Sequence, residues 1–247
     1  MAETPDRRAD LTRRWDLVLA RMAQITRPAD EPGNVAVTLE RICIAAAGLV
    51  DASGAGVSLL ADHGGHGFAA ASDPSSRQLE ELQFTLGEGP WAEAFDTGRP
   101  VLVPDLADHD WRRWPLYASA AHDLGVRAVF AFPIRIGASR LGVLDVFRDR
   151  TGELTGEQIG QAVTFADVAL AVVLDGQQAA PDGAIPAGFD DSFRADVAQA
   201  QGMVMVQLGV SITEALVRLR AYAYAQSRPV GEVARDVVAR SLTFTEQ

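Results

Sequence analysis

Residues 126–148 read "VRAVFAFPIRIGASRLGVLDVFR", two β-rich runs, 126–136 and 140–148, on either side of a three-residue "GAS". Valine, isoleucine and phenylalanine dominate the first run and valine, leucine and phenylalanine the second, and small residues separate them, so the stretch predicts a β-hairpin. Three further short runs bounded by glycine, proline and aspartate read as strands: "GAGVSLL" (54–60), "HGFAAAS" (66–72) and "RPVLVP" (99–104). Helical spacing intervenes at about 75–83, 89–97 and 115–124, and before the strands at 35–51. A long helix is expected over 155–178, opened by Thr155 with Gln158 three residues on, a capping box. Helices on both sides of a meander of strands predict an α+β fold, a mainly antiparallel sheet with flanking helices.

The ends of the chain differ in character. Over 8–25, Leu11, Trp15, Val18, Leu19, Met22 and Ile25 recur at helical spacing, with charged residues opposite, before "RPADEPGN" breaks the pattern. That stripe serves either as a dimer seam or as a packing face on its own chain. The expected long helix has a comparable side in Ile159, Val163, Ala166, Leu170 and Val173. "GQQAAPDGAIPAG" (176–188) has the composition of a linker. Beyond it lie three helical patterns. Phe193, Val197, Ala200, Val204 and Leu208 share one face, and Gly209 is placed to stop that helix. "SITE" (211–214) opens the next, with Ala215, Leu216, Leu219 and Ala223 inward. Pro229 fits the first turn of the third, whose inner face is Val230, Val233, Val237 and Ser241.

Composition removes several classes of chemistry. All 22 basic side chains are arginine, so no P-loop, Schiff-base or kinase-type lysine exists. A single Cys43, inside "RICIAAAGLV", forms no intrachain disulfide and no CxxC metal knuckle, and behaves as a small hydrophobe. No run reaches 18 apolar residues, and "MAETPDRRAD" lacks a signal-peptide core, so a cytoplasmic chain without membrane spans is expected. The net charge of −11 argues against a protein that coats duplex DNA, but leaves room for one local nucleic-acid surface.

Three motifs touch on chemistry. "GEGPWA" (87–92) fits the weak GxGxxA dinucleotide pattern, but Pro90 removes a donor and Glu88 adds the wrong charge, so a glycine turn entering a helix is the better reading. "HGGH" places His63 and His66 near a turn with no third ligand at usable spacing, and no metal is expected. "DHDWRRWP" (108–115) either walls a cavity or covers the sheet as a loop.

Two further quotations carry a resemblance. "LEELQFTLGEGPWAEAFDTGRPVLVPDL" (79–106) with "LGVRAVFAFPIRIGASRLGVLDVFRD" (124–149) resembles a GAF domain of the actinobacterial type. "VAQAQGMVMVQLGVSITEALVRLRAYAYAQSRPVGEVARDVV" (197–238) resembles an ANTAR domain, an RNA-binding module of transcription antitermination regulators. The organisation this implies is a helix and tail at 1–34, a GAF domain at 35–178, a linker at 179–188 and an ANTAR domain at 189–247.

From the ANTAR resemblance follows a homodimeric regulator that holds paired RNA hairpins in the antiterminator form, without catalysis or cofactor. The candidate RNA-binding residues are Gln201, Arg218, Arg220, Tyr222, Tyr224, Arg228 and Arg235. Arginine beside an aromatic ring suits unpaired loop bases, which stack on rings while guanidinium holds phosphate. Arg220 and Tyr224 lie at i, i+4 on one edge of their helix, and Arg218 and Tyr222 on the other. Residues 189–247 hold six arginines against seven acids, so any RNA surface is local. The Ala200-Gln201-Gly202 element implies a close approach by another helix, the physical use that offsets an interior glycine. From the GAF resemblance follows a ligand over the sheet, with Phe84, Trp91, Trp111, Trp114, Phe130 and Phe132 as candidate lining; core packing accounts for most of these aromatics equally well. The alternative is a ligand sensor acting through a protein partner, its last helices a dimer interface.

Overall fold

The computed structural model describes residues 5–25, 34–60, 66–108, 113–179 and 191–245. Strands β1 (Gly54–Leu60), β2 (His66–Ala71), β3 (Val101–Val103), β4 (Ala128–Ile136) and β5 (Ser139–Arg148) form one sheet in the order β2-β1-β5-β4-β3. Every neighbouring pair is antiparallel. The 126–148 stretch is the β4–β5 hairpin, paired from Ala128↔Arg148 to Ile136↔Ser139.

The two faces of the sheet are covered by different helices. Strand alternation sends Val57, Phe130, Phe132, Leu144 and Val146 to the face shared with α1 (Pro5–Ala23), α2 (Val35–Leu49) and α6 (Gly156–Ala179). Val129, Ala131, Val143 and Phe147 point the other way, onto α3 (Pro74–Leu86), α4 (Pro90–Thr97) and α5 (Pro115–Asp123). A sheet buried on both faces favours apolar residues at successive positions, which is why these strands read largely as apolar runs.

Local chemistry sets the helix ends. Thr155 and Gln158 exchange side chain-to-backbone bonds at 2.9 and 3.2 Å and open α6. Arg148, itself buried, donates to the carbonyls of Val50 and Asp51 at 2.6 and 3.0 Å and so ties β5 to the end of α2. The α1 stripe packs on its own chain at Val18 and Met22, while Leu17 and Leu19 stay exposed. On α6, Ala166 and Val173 are buried and Val163 is exposed. The segment Gly156–Gln177 has the length and mean hydropathy, 1.5, of a membrane-crossing helix, which the count of consecutive apolar residues missed. Here its Ala162, Phe165 and Ala169 are buried in the core beside α2 and the sheet.

Three helices follow: α7 (Asp191–Leu208), α8 (Ile212–Ala225) and α9 (Val230–Val238). Val197, Ala200, Val204, Ala215, Leu219, Ala223, Val230, Val233 and Val237 form their core. Gly209, at φ +63°, ends α7 in a left-handed turn. Ser211 Oγ accepts from Glu214 N–H at 3.2 Å, but the Glu214 carboxylate turns to Arg218, so only half of the expected capping box carries over. Ser241 corrects the sequence reading: it lies beyond the end of α9, exposed. The side chain of Phe193 and residues 180–190 lie outside the described set. Gly202 is a second correction. A methyl placed on it would meet nothing within 4 Å among the described residues, so none of the described helix backbones needs its smallness.

Candidate functional site

The outer edges of α8 carry the arginines and tyrosines, and the structure treats the two edges differently. Arg220 points toward the sheet domain. Its guanidinium carbon lies 4.9 Å from the centre of the Phe84 ring on α3. Its Nη1 stands 2.9 Å from where a side chain on Gly87 would begin. Gly87 is the left-handed C-cap of α3, at φ +69°, so the cation sits at the negative end of that helix. Burial pulls the Arg220 pKa down, and its Nε finds no hydrogen-bond partner among the described residues.

Tyr224, one turn further, and Arg228 line a groove of ≈ 310 Å³ with Leu82, Leu86, Ala120 and Leu124 of α3, α5 and the turn after it. Tyr224 is 55% exposed. Arg228 is held by Asp236 at 2.8 Å and Glu232 at 3.5 Å. On the opposite edge Arg218 is exposed beside Glu214 at 2.8 Å. Tyr222 corrects the expectation of an RNA-facing ring: it meets Phe244 edge-on at 5.4 Å and packs against the core of the three helices. Gln201 donates to the Ile212 carbonyl at 2.7 Å, tying α7 to the start of α8. Arg235 is exposed on α9 and leans over the Gly231 carbonyl at 3.4 Å.

Of the six aromatic residues expected to line one ligand pocket, the five described ones do not meet, which is a further correction. Phe130 and Phe132 face α2 and α6, whereas Trp91 and Trp114 lie on the other side of the sheet, and Phe84 joins the C-terminal helices. Phe130 and Phe132 share one strand parity and so one face, while Phe84, Trp91 and Trp114 sit on or at the ends of helices that cover the other face, which spacing along the chain does not reveal. Trp111 lies outside the described residues. Of "DHDWRRWP", Trp114 is buried beneath the Arg113 guanidinium at 4.5 Å, and Arg113 pairs with Glu93.

"GEGPWA" is a structural turn. Gly87 ends α3 and Gly89, at φ +142°, opens α4, while the Glu88 carboxylate accepts from the N–H groups of Leu116 and Tyr117 at 2.7 and 3.0 Å. His63 and the His66 side chain lie outside the described set; among the described residues no three histidine, cysteine or carboxylate groups could hold a metal.

Sequence reading missed a polar network under α3. Ser58 Oγ donates to Glu80 at 2.5 Å, and Gln83 Nε2 donates to Asp145 Oδ2 at 3.0 Å. Gln83 Oε1 in turn accepts the Trp91 N–H at 3.0 Å. Asp145 stands mid-sheet between Gly56 and Ala131, and the Glu80 carboxyl packs where a Gly56 side chain would lie. Both acids are fully buried, and burial raises both pKa values. Asp145 rises to about 7; Glu80, buried beside that second acid, is pushed well above the usual carboxylate range. Burial likewise raises Tyr117, whose hydroxyl has no hydrogen-bond partner among the described residues. The signal in the sequence was a lone aspartate in the middle of "LGVLDVFR" and two polar residues three apart on α3.

Residues 34–206 match the GAF domain family, and the chain belongs to that family. Residues 192–238 match the ANTAR domain, so the helices α7–α9 coincide with a second known module, also of a regulatory rather than catalytic kind. The GAF match runs through most of α7, which both matches therefore include. The fold is similar to the GAF domain of a phosphoenolpyruvate-protein phosphotransferase from Coxiella burnetii, at 17% identity and TM-score 0.52, over 68% of this chain and 95% of that one. It is also similar to the corresponding GAF domain from Acinetobacter, at 12% identity and TM-score 0.50, over 72% and 98%. At such identities the likeness speaks for the fold alone. No curated protein matches the chain.

Proposed function

We propose that this chain is a cytoplasmic, homodimeric regulator of transcription antitermination that binds hairpin RNA through residues 189–247. Its GAF domain serves as the sensory or dimerising part. The observation that carries this reading is the coincidence of the ANTAR match, residues 192–238, with a helix trio whose surface displays Arg218, Arg235 and Tyr224. Exposed guanidinium groups contact phosphate and an exposed ring accepts an unpaired base, so the surface chemistry suits a single-stranded loop. Two hairpins call for two copies of the module, hence a dimer; Leu17 and Leu19 of α1 and Val163 of α6 are exposed apolar residues available for its seam.

The test is a titration of the full chain with two-hairpin leader RNAs at low salt, with light scattering alongside. Binding by a dimer, weakened by added salt, is the expected result. A chain that binds no such RNA, yet captures a protein partner after RNase treatment, would replace this reading with that of a ligand sensor.

A further inference from the structure

We propose that the Arg220–Phe84 contact is a latch: the sheet domain withholds Arg220 from RNA, and docking on α3 and RNA binding are alternatives. The proposal rests on the reading of α7–α9 as an RNA-binding module and names how that surface is regulated.

Several features of the contact point this way. Arg220 belongs to the helix edge whose composition suits RNA, yet its guanidinium is spent on an aromatic ring of the other domain. Phe84 is 7% exposed and packs with the core of the three C-terminal helices. Gly87 leaves the space that Arg220 Nη1 occupies, because any side chain there would begin 2.9 Å away. The docked cation has also given up solvent without full compensation, since its Nε is buried and lacks a partner among the described residues. An unmet buried donor makes release easier than it would be from a fully satisfied site.

The groove of ≈ 310 Å³ beside the contact leaves the rest of this interface loosely packed, which suits a surface that opens. Tyr224 shares that groove, so one edge of α8 is turned toward α3 and α5 while Arg218 on the other edge faces solvent. In the closed form, then, RNA meets Arg218 and Arg235 without Arg220. A ligand or signal that opens the latch acts only through unequal affinity for the two arrangements.

The test needs a readout of docking that does not depend on RNA. Phenylglyoxal labelling of the full chain, followed by mass spectrometry, reports guanidinium access residue by residue. Arg218 is expected to react readily and Arg220 slowly. Phe84→Leu keeps an apolar side chain on α3 but removes the ring face, so Arg220 becomes reactive and affinity for a two-hairpin RNA rises up to about tenfold, the scale of one desolvated cation–π contact. Equal labelling of Arg220 and Arg218 in the parent chain overturns the latch. So does a Phe84→Leu chain that exposes Arg220 yet binds RNA like the parent. If no variant binds RNA while Arg220 stays protected until Phe84 is changed, the docking stands and the RNA reading fails. The withholding of Arg220 from RNA then falls with it.

Discussion

Gln83 and Asp145 are joined across the boundary between α3 and the sheet by a hydrogen bond of 3.0 Å. The same glutamine accepts the Trp91 N–H, so one buried side chain satisfies both a carboxylate on β5 and the first turn of α4. Gln83→Leu keeps the volume and strands both partners. Each buried group left unmet costs about 1–3 kcal/mol, so a loss of roughly 2–5 kcal/mol is expected from urea unfolding. A loss below about 0.5 kcal/mol, the range of ordinary surface changes, would show that the network is dispensable.

The buried acid pair predicts a pH dependence of definite sign. Asp145 titrates near 7 in the folded chain and near an ordinary 3.9 when unfolded, so the folded form holds the extra proton between them. The stability from this group is complete below about pH 4, declines as pH rises through about 7, and levels off above. The urea midpoint is expected to fall from pH 5 to pH 8, by a shift worth roughly a few kcal/mol. Asp145→Asn removes this group's share and makes the decline shallower, leaving only the share of Glu80, whose folded pKa is raised as well. An equally steep decline in that variant would assign the effect to other groups.

Gly202 separates two accounts of an interior glycine. Space around it is open among the described residues, so a side chain there meets no wall within the chain. Gly202→Ala is expected to raise thermal stability by about 1 kcal/mol through helix propensity alone. Destabilisation measured on the dimer, but not on dilute monomer, would instead place Gly202 against a second copy.

Tyr222 and Arg218 flank the same edge of α8 but are expected to respond oppositely. Tyr222→Ala removes the ring against Phe244 and should cost about 1–3 kcal/mol of stability. Arg218→Ala should leave the melting temperature nearly unchanged and lower the salt dependence of RNA binding by about one phosphate contact. An Arg218→Ala chain with the parent's salt slope would remove this residue from the RNA surface.

The strands were legible in the sequence because each is a short apolar run bounded by turn residues, and β1 begins and ends where "GAGVSLL" does. Their facing was not. Val129 and Phe130 are both buried but belong to opposite cores, and nothing in the run marks inside from outside when both sides are covered. The same blindness placed Phe130 and Trp91 in one supposed pocket. Arg220 and Tyr222 looked like surface residues because spacing within one helix shows its own apolar stripe and nothing that packs on its edges; Phe84 and Phe244 come from other parts of the chain. Asp145 stood in plain view, but the meaning of a buried acid depends on Glu80 and Gln83, which only the fold brings to it. The ANTAR resemblance misled at Gly202, where it implied a helix neighbour that the described residues do not supply.

Phe84 belongs to α3 by sequence and to the C-terminal helices by packing. Two parts of a chain that share a core residue lose cooperative independence: neither can melt without exposing surface that the other had covered. Calorimetry should therefore record one merged transition for the closed chain, and two for a variant in which the parts have let go. The composition of the chain changes over residues 176–188, but the thermodynamic seam runs elsewhere, between a phenylalanine and an arginine.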